Sequence, residues 1–158
     1  MFKPLFVMAI IGTAIGLALP TSEHVSESGA AKANSATSPR ETVLEREDNG
    51  HFYVHAKING ELVRFVVDTG ASAVALTEDD AERIGLDVDP DAYEYIGEGA
   101  SGPVLGQLVT IDEIDVDGKV VDNVSGAVLK GSKLSLLGQS YLTRMGEVQM
   151  RGNTMVLR

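Results

Sequence analysis

Over residues 51–158 apolar and polar positions form short runs, and turn residues interrupt them about every 10 positions, the rhythm of a barrel or sandwich of short strands. His51–Ile58 ends at Asn59-Gly60, a pair that tolerates the positive φ of a tight hairpin, and Leu62–Val67 resumes beyond it. Leu108–Val116 and Lys119–Val124 flank Asp117-Gly118 in the same way. Further strands are predicted at Val104–Leu108, Ala127–Lys130, Leu134–Leu137, Glu147–Met150 and Thr154–Leu157. One helix stands out. Thr77 can cap it, Glu78, Asp79 and Asp80 meet its positive end, Ala81, Ile84 and Leu86 give an apolar side, and Gly85 suits its stop.

The first 50 residues read differently. Lys3 precedes an uncharged stretch from Leu5 to Leu19, closed by Pro20. That is short for a spanning helix, which needs about 20 residues, and fits a signal peptide. Residues 1–20 are therefore expected to be a signal peptide or an N-terminal membrane anchor, with residues 5–19 as the apolar part. Residues 21–50 are rich in Ser, Ala, Glu and Asn without apolar periodicity, so they cannot bury enough surface to offset their ordering entropy. They are expected to form a flexible polar linker, with a helical turn near Thr42–Arg46. Residues 51–158 are the expected folded domain. The location implied is exported and periplasmic, with anchoring to the inner membrane left open.

Composition narrows the classes. Hydrophobic residues make up 44% of the chain, so a packed core is expected; aromatics are 5% and Trp is absent, so that core should be aliphatic. A net charge of −10 argues against nucleic acid, whose phosphates require clustered Lys and Arg. With no cysteine, thiol nucleophiles, disulfides and thiolate metal sites are excluded together.

The run Phe65-Val66-Val67-Asp68-Thr69-Gly70-Ala71-Ser72 puts an acid at the end of an apolar strand, just before a tight turn. A carboxylate there is costly unless it is paired or hydrogen-bonded. Thr69 can tie the turn with its hydroxyl, and Gly70, having no Cβ, lets backbone amides approach the acid. An acidic turn residue between two strands is the plain alternative.

Asp68-Thr69-Gly70-Ala71 resembles the active-site signature of aspartic proteases, in particular the single-lobe retropepsins and their bacterial relatives. Leu136-Leu137-Gly138, continuing as Gln139-Ser140-Tyr141-Leu142, resembles their second hallmark, two hydrophobics and a glycine that support the catalytic loop. Between the two motifs, Tyr95–Val104 matches the place of the flap that closes over substrate, with Gly97, Glu98, Gly99, Ala100, Ser101 and Gly102 as its candidate residues. Ser72 departs from the acid often found at that position in retropepsins. The resemblance implies an all-β, retropepsin-like closed barrel (the acid protease fold, single lobe) with one short helix after the catalytic loop. It implies an aspartic-type endopeptidase acting on polypeptides, with no metal and no cofactor. Such chemistry uses two carboxylates around one water. One Asp-Thr-Gly and no internal repeat imply a homodimer with one Asp68 from each protomer. In viral relatives the chain ends interleave, which makes Thr154–Arg158 the candidate interface.

Other patterns in the chain fit their motifs less well. Gly97–Gly102 satisfies the dinucleotide-binding spacing, but Pro103 and a strand follow where a helix is required. Glu113, Asp115 and Asp117-Gly118 match the start of a calcium loop, but Val124 stands where its final Glu belongs. His51 and His55 are expected on one strand face, without a clear third ligand; His24 falls in the linker. The competing function is a catalytically silent retropepsin-like binding or assembly module of the cell envelope.

Overall fold

The computed structural model describes residues 39–99 and 102–158; the expected signal or anchor segment, most of the linker and His24 lie outside the described residues. Ten strands and two helices follow one another: β1 (Thr42–Glu45), β2 (Tyr53–Ile58), β3 (Glu61–Val67), β4 (Val74–Leu76), α1 (Glu78–Arg83), β5 (Glu94–Gly99), β6 (Gly102–Val116), β7 (Lys119–Leu129), β8 (Ser135–Leu137), α2 (Gln139–Met145), β9 (Val148–Arg151) and β10 (Thr154–Leu157). The large sheet runs β2-β3-β8-β4-β7-β6-β5 and closes on itself through Lys57 and Asp115 of β2 and β6, so six strands make a barrel and β5 is appended. Phe65, Ile58, Leu76, Ile111, Ile114, Leu137 and Tyr141 fill it and are fully buried. The expected all-β closed barrel is the observed fold.

Both Asx-Gly hairpins form, with Asn59 and Asp117 at positive φ (51° and 53°), each followed by glycine. Thr77 caps α1, its Oγ1 accepting from the Asp80 amide at 3.1 Å, and Gly85 follows the helix at φ 82°. The expected strands over Val104–Leu108 and Leu108–Val116 are one strand, β6. Likewise Lys119–Val124 and Ala127–Lys130 merge into β7. Ser125-Gly126 reads as a break, but Gly126 pairs with Val74 and Val109 inside the sheet, and glycine stands there because a Cβ would lie 3.1 Å from the Val74 carbonyl.

Three expectations are corrected. Thr42–Glu45 is a strand, not a helical turn, and pairs with β10 from Thr42–Leu157 to Glu45–Thr154, so the linker drawn over 21–50 ends before it. The buried ammonium of Lys119 holds it, donating to the Arg40 carbonyl and to Thr42 Oγ1 (2.8 Å), while Thr42 Oγ1 donates to Asp117 Oδ2 at 2.6 Å. A second helix, α2, was not foreseen. Its Tyr141 and Leu142 are buried, and Tyr141 donates to the Lys119 carbonyl at 2.6 Å. Lastly, β10 lies between β1 and β9 of its own chain. It has no open edge for the interleaving expected of Thr154–Arg158; the open edges of this small sheet belong to β1 and β9.

Candidate active site

Asp68 follows β3, and β8 lies beside it in parallel, Val66 against Leu136 and Val67 against Leu137. The Asp68 amide extends that ladder by donating to the Leu137 carbonyl at 3.1 Å, so Leu136-Leu137 fixes where the acid leaves the sheet. The carboxylate is half-buried, and Oδ1 accepts from the Gly70 amide at 2.8 Å. A Cβ on Gly70 would lie 3.2 Å from that oxygen, which is why glycine suits the turn. The turn closes when the Ala71 amide donates to the Asp68 carbonyl at 3.3 Å. Thr69 is held by its own carbonyl, which accepts from Gln139 Nε2 at 2.8 Å, rather than by its hydroxyl.

Gly138 starts the turn into α2 directly against this loop. A side chain there would come within 2.8 Å of the Ala71 carbonyl and closer still to that of Ala73. The close approach lets Gln139 and Ser140 donate their amides to the carbonyls of Ala71 (2.8 Å) and Ser72 (3.1 Å). Both residues follow the Leu-Leu-Gly hallmark and were not among the sequence candidates; no periodicity marks them, because their partners are backbone atoms distant in sequence.

Directly paired residues of neighbouring strands share a sheet face. The register therefore lines up one row across six strands: Tyr53, Val66, Leu136, Ala75, Ala127 and Leu108. Every member is apolar or aromatic. The opposite face carries Phe65, Val67, Leu76, Val128 and Leu137 into the core. Val66 precedes Asp68 by two positions, which places the acid and the row on one face. Ala75 and Ala127, the small residues in the middle, are 7% and 5% exposed; Leu108 at the end is 75% exposed.

Of the expected flap residues, Gly97, Glu98, Gly99 and Gly102 lie on the β5–β6 hairpin. Gly97 pairs with Val104, Glu98 with Pro103 and Gly99 with Gly102, after a bulge at Ile96. Ala100 and Ser101 lie outside the described residues. Tyr95 is exposed and donates to Glu98 Oε1 at 3.2 Å.

The calcium-loop and histidine patterns gain nothing from the geometry. Asp115 Oδ1 accepts from the Gly118 amide at 2.6 Å as part of a hairpin turn, and no cluster of three or more metal-ligating side chains occurs among the described residues. His55 is exposed on β2, and His51 lies just before that strand, edge-on to Tyr53. No helix among the described residues is long and apolar enough to cross a membrane.

A single-lobe barrel with an Asp-Thr-Gly turn beside a two-hydrophobic-glycine strand defines the acid-protease class. The chain belongs to the family of gag-polyprotein putative aspartyl proteases, whose model matches residues 54–144. It is similar to the crystal structure of a retropepsin-like aspartic protease from Rickettsia conorii, at 34% identity and a TM-score of 0.65, over 75% of this chain and 98% of that one. An uncharacterised protein of Rickettsia prowazekii is 31% identical over 99% of this chain, and a Sinorhizobium protein from the region 5′ of cobV is 37% identical over 75% of it. The matches span 68% and 52% of those two relatives' lengths.

Proposed function

We propose that this protein is an aspartic-type endopeptidase, working as a two-fold homodimer that hydrolyses peptide bonds with a water held between two Asp68 carboxylates, one per protomer. The observation that carries the reading is Asp68 itself: a half-buried carboxylate at a strand end, bonded to the Gly70 amide and level with an apolar row. One such acid per barrel needs a second copy to supply the other. Two like charges so close share one proton and titrate as a unit. The ionised partner takes a proton from the water, and the neutral one donates a hydrogen bond to the scissile carbonyl. Thr69, Gly70 and Ala71, with Leu136, Leu137 and Gly138 behind them, support the acid. The accessible members of the row, Tyr53, Leu136 and Leu108, offer apolar contact to side chains of an extended peptide, and the β5–β6 hairpin acts as the flap, adding backbone hydrogen bonds.

The dimer draws on the open edges of β1 and β9 together with the face around Asp68. We further propose export, with the barrel outside the cytoplasmic membrane and residues 1–20 serving as signal or anchor. The deciding experiment assays the full chain against a peptide library, with Asp68→Asn as control. Cleavage by the wild type alone, falling on dilution and poisoned by added Asp68→Asn protomers, is the expected result. Equal cleavage by both proteins would overturn the assignment. Cleavage by neither would favour the silent module.

A further inference from the structure

The Asp68 loop is gripped by two adjacent residues. Gln139 donates its amide to the Ala71 carbonyl and its Nε2 to the Thr69 carbonyl, both at 2.8 Å. Ser140 donates its amide to the Ser72 carbonyl at 3.1 Å. Its hydroxyl accepts from the Val74 amide at 3.0 Å and donates to the Ser125 carbonyl at 2.6 Å, tying the far end of the loop to β7.

One of these bonds bears on the acid through covalent geometry. The Thr69 carbonyl and the Gly70 N–H belong to the same peptide unit, which is planar and trans, so the two point in opposite directions. Gln139 Nε2 holds the carbonyl end. The N–H end is the donor to Asp68 Oδ1, at 2.8 Å. A side chain on α2 thus aims a backbone hydrogen bond at the carboxylate, across a plate that cannot bend.

We propose that Gln139 is a positioning residue for Asp68, acting through the Thr69–Gly70 peptide, with Ser140 anchoring the loop's other end. Without the amide of Gln139 that peptide is free to rotate, and the acid loses its oriented donor. The catalytic consequence rests on the endopeptidase reading; the orientation of Gly70 does not.

The test compares full-length wild type, Gln139→Met (similar in size, unable to donate) and Gln139→Ala. Two readouts are taken: the Gly70 amide proton by NMR, with its exchange rate, and kcat and KM on a cleaved peptide. In both Gln139 variants the Gly70 resonance should move upfield and exchange faster, and kcat should fall roughly tenfold with KM unchanged. An unmoved Gly70 resonance in the Gln139 variants, an unchanged kcat, or a KM rising in step with the loss would overturn the proposal. Should wild type cleave no peptide, the endopeptidase reading fails, and the Gly70 resonance still decides the positioning.

Discussion

The amide of Gly70 lies 2.8 Å from Asp68 Oδ1, and a methyl group on Gly70 would lie 3.2 Å from the same atom. The donor and the steric limit therefore meet at one oxygen. Gly70→Ala should displace the carboxylate by a few tenths of an ångström while the barrel stays folded. Peptidase activity is expected to drop about ten- to a hundredfold with an unchanged far-ultraviolet spectrum. Full activity in Gly70→Ala would show that the turn tolerates the shift.

Gly138 is under a harsher constraint, because its neighbours are backbone atoms that cannot swing aside. Gly138→Ala is expected to lower stability by about 3 kcal/mol or more, since the alternative is to push α2 off the Asp68 loop. Urea unfolding measures this directly. A loss under about 1 kcal/mol would mean that the two segments separate readily.

Tyr141 is buried, and its hydroxyl donates to the Lys119 carbonyl at 2.6 Å. Burial, the first cause, and the nearby Asp115 push its pKa well above the ordinary tyrosine range, so it stays a donor at all usable pH. Tyr141→Phe removes this buried bond and should cost about 1 kcal/mol by thermal or urea unfolding. A neutral result would imply that water reaches the carbonyl.

Lys119 gives a dependence on pH. Burial, the largest cause, lowers its pKa, although Asp117 and Asp115 oppose this. The unfolded chain therefore holds this proton more tightly than the folded one, and the penalty is full below the folded pKa. It eases as pH rises from there toward the ordinary lysine value, so stability from this group increases with pH. Against Lys119→Met, wild type should gain in urea midpoint between pH 7 and pH 10. A constant gap across that range would contradict the assignment.

The mid-row alanines, nearly buried themselves, bear on specificity through their more exposed neighbour Leu136. Ala75→Val adds bulk between Leu136 and Ala127 on the Asp68 face. Substrates with large apolar side chains near the cut should lose about tenfold in kcat/KM relative to small ones, as a misfitted methylene or two would dictate. Equal effects on both substrate sizes would place the peptide elsewhere.

Much of the barrel was legible because its signals are local. Asn59-Gly60, Asp117-Gly118 and Thr77 each declare a turn or cap within four residues, and the acid stood out as a charge ending an apolar strand. What escaped depends on partners far along the chain. Thr42–Glu45 becomes a strand because β10 and Lys119 receive it, and no local propensity reveals either. Gly126 looked like a break and is a packing contact with Val74. The Gln139-Ser140 grip is invisible for the same reason, being side chain and amide to carbonyls almost 70 positions earlier.

The placement of β1 decides where tension enters the barrel. Anything pulling on the chain ahead of Pro39 would load the Thr42–Glu45 ladder and the Lys119 clasp first. The strain would reach the terminal strand before the β3–β8 seam that steadies the acid. A chain tugged from its front end would thus give way first at β1.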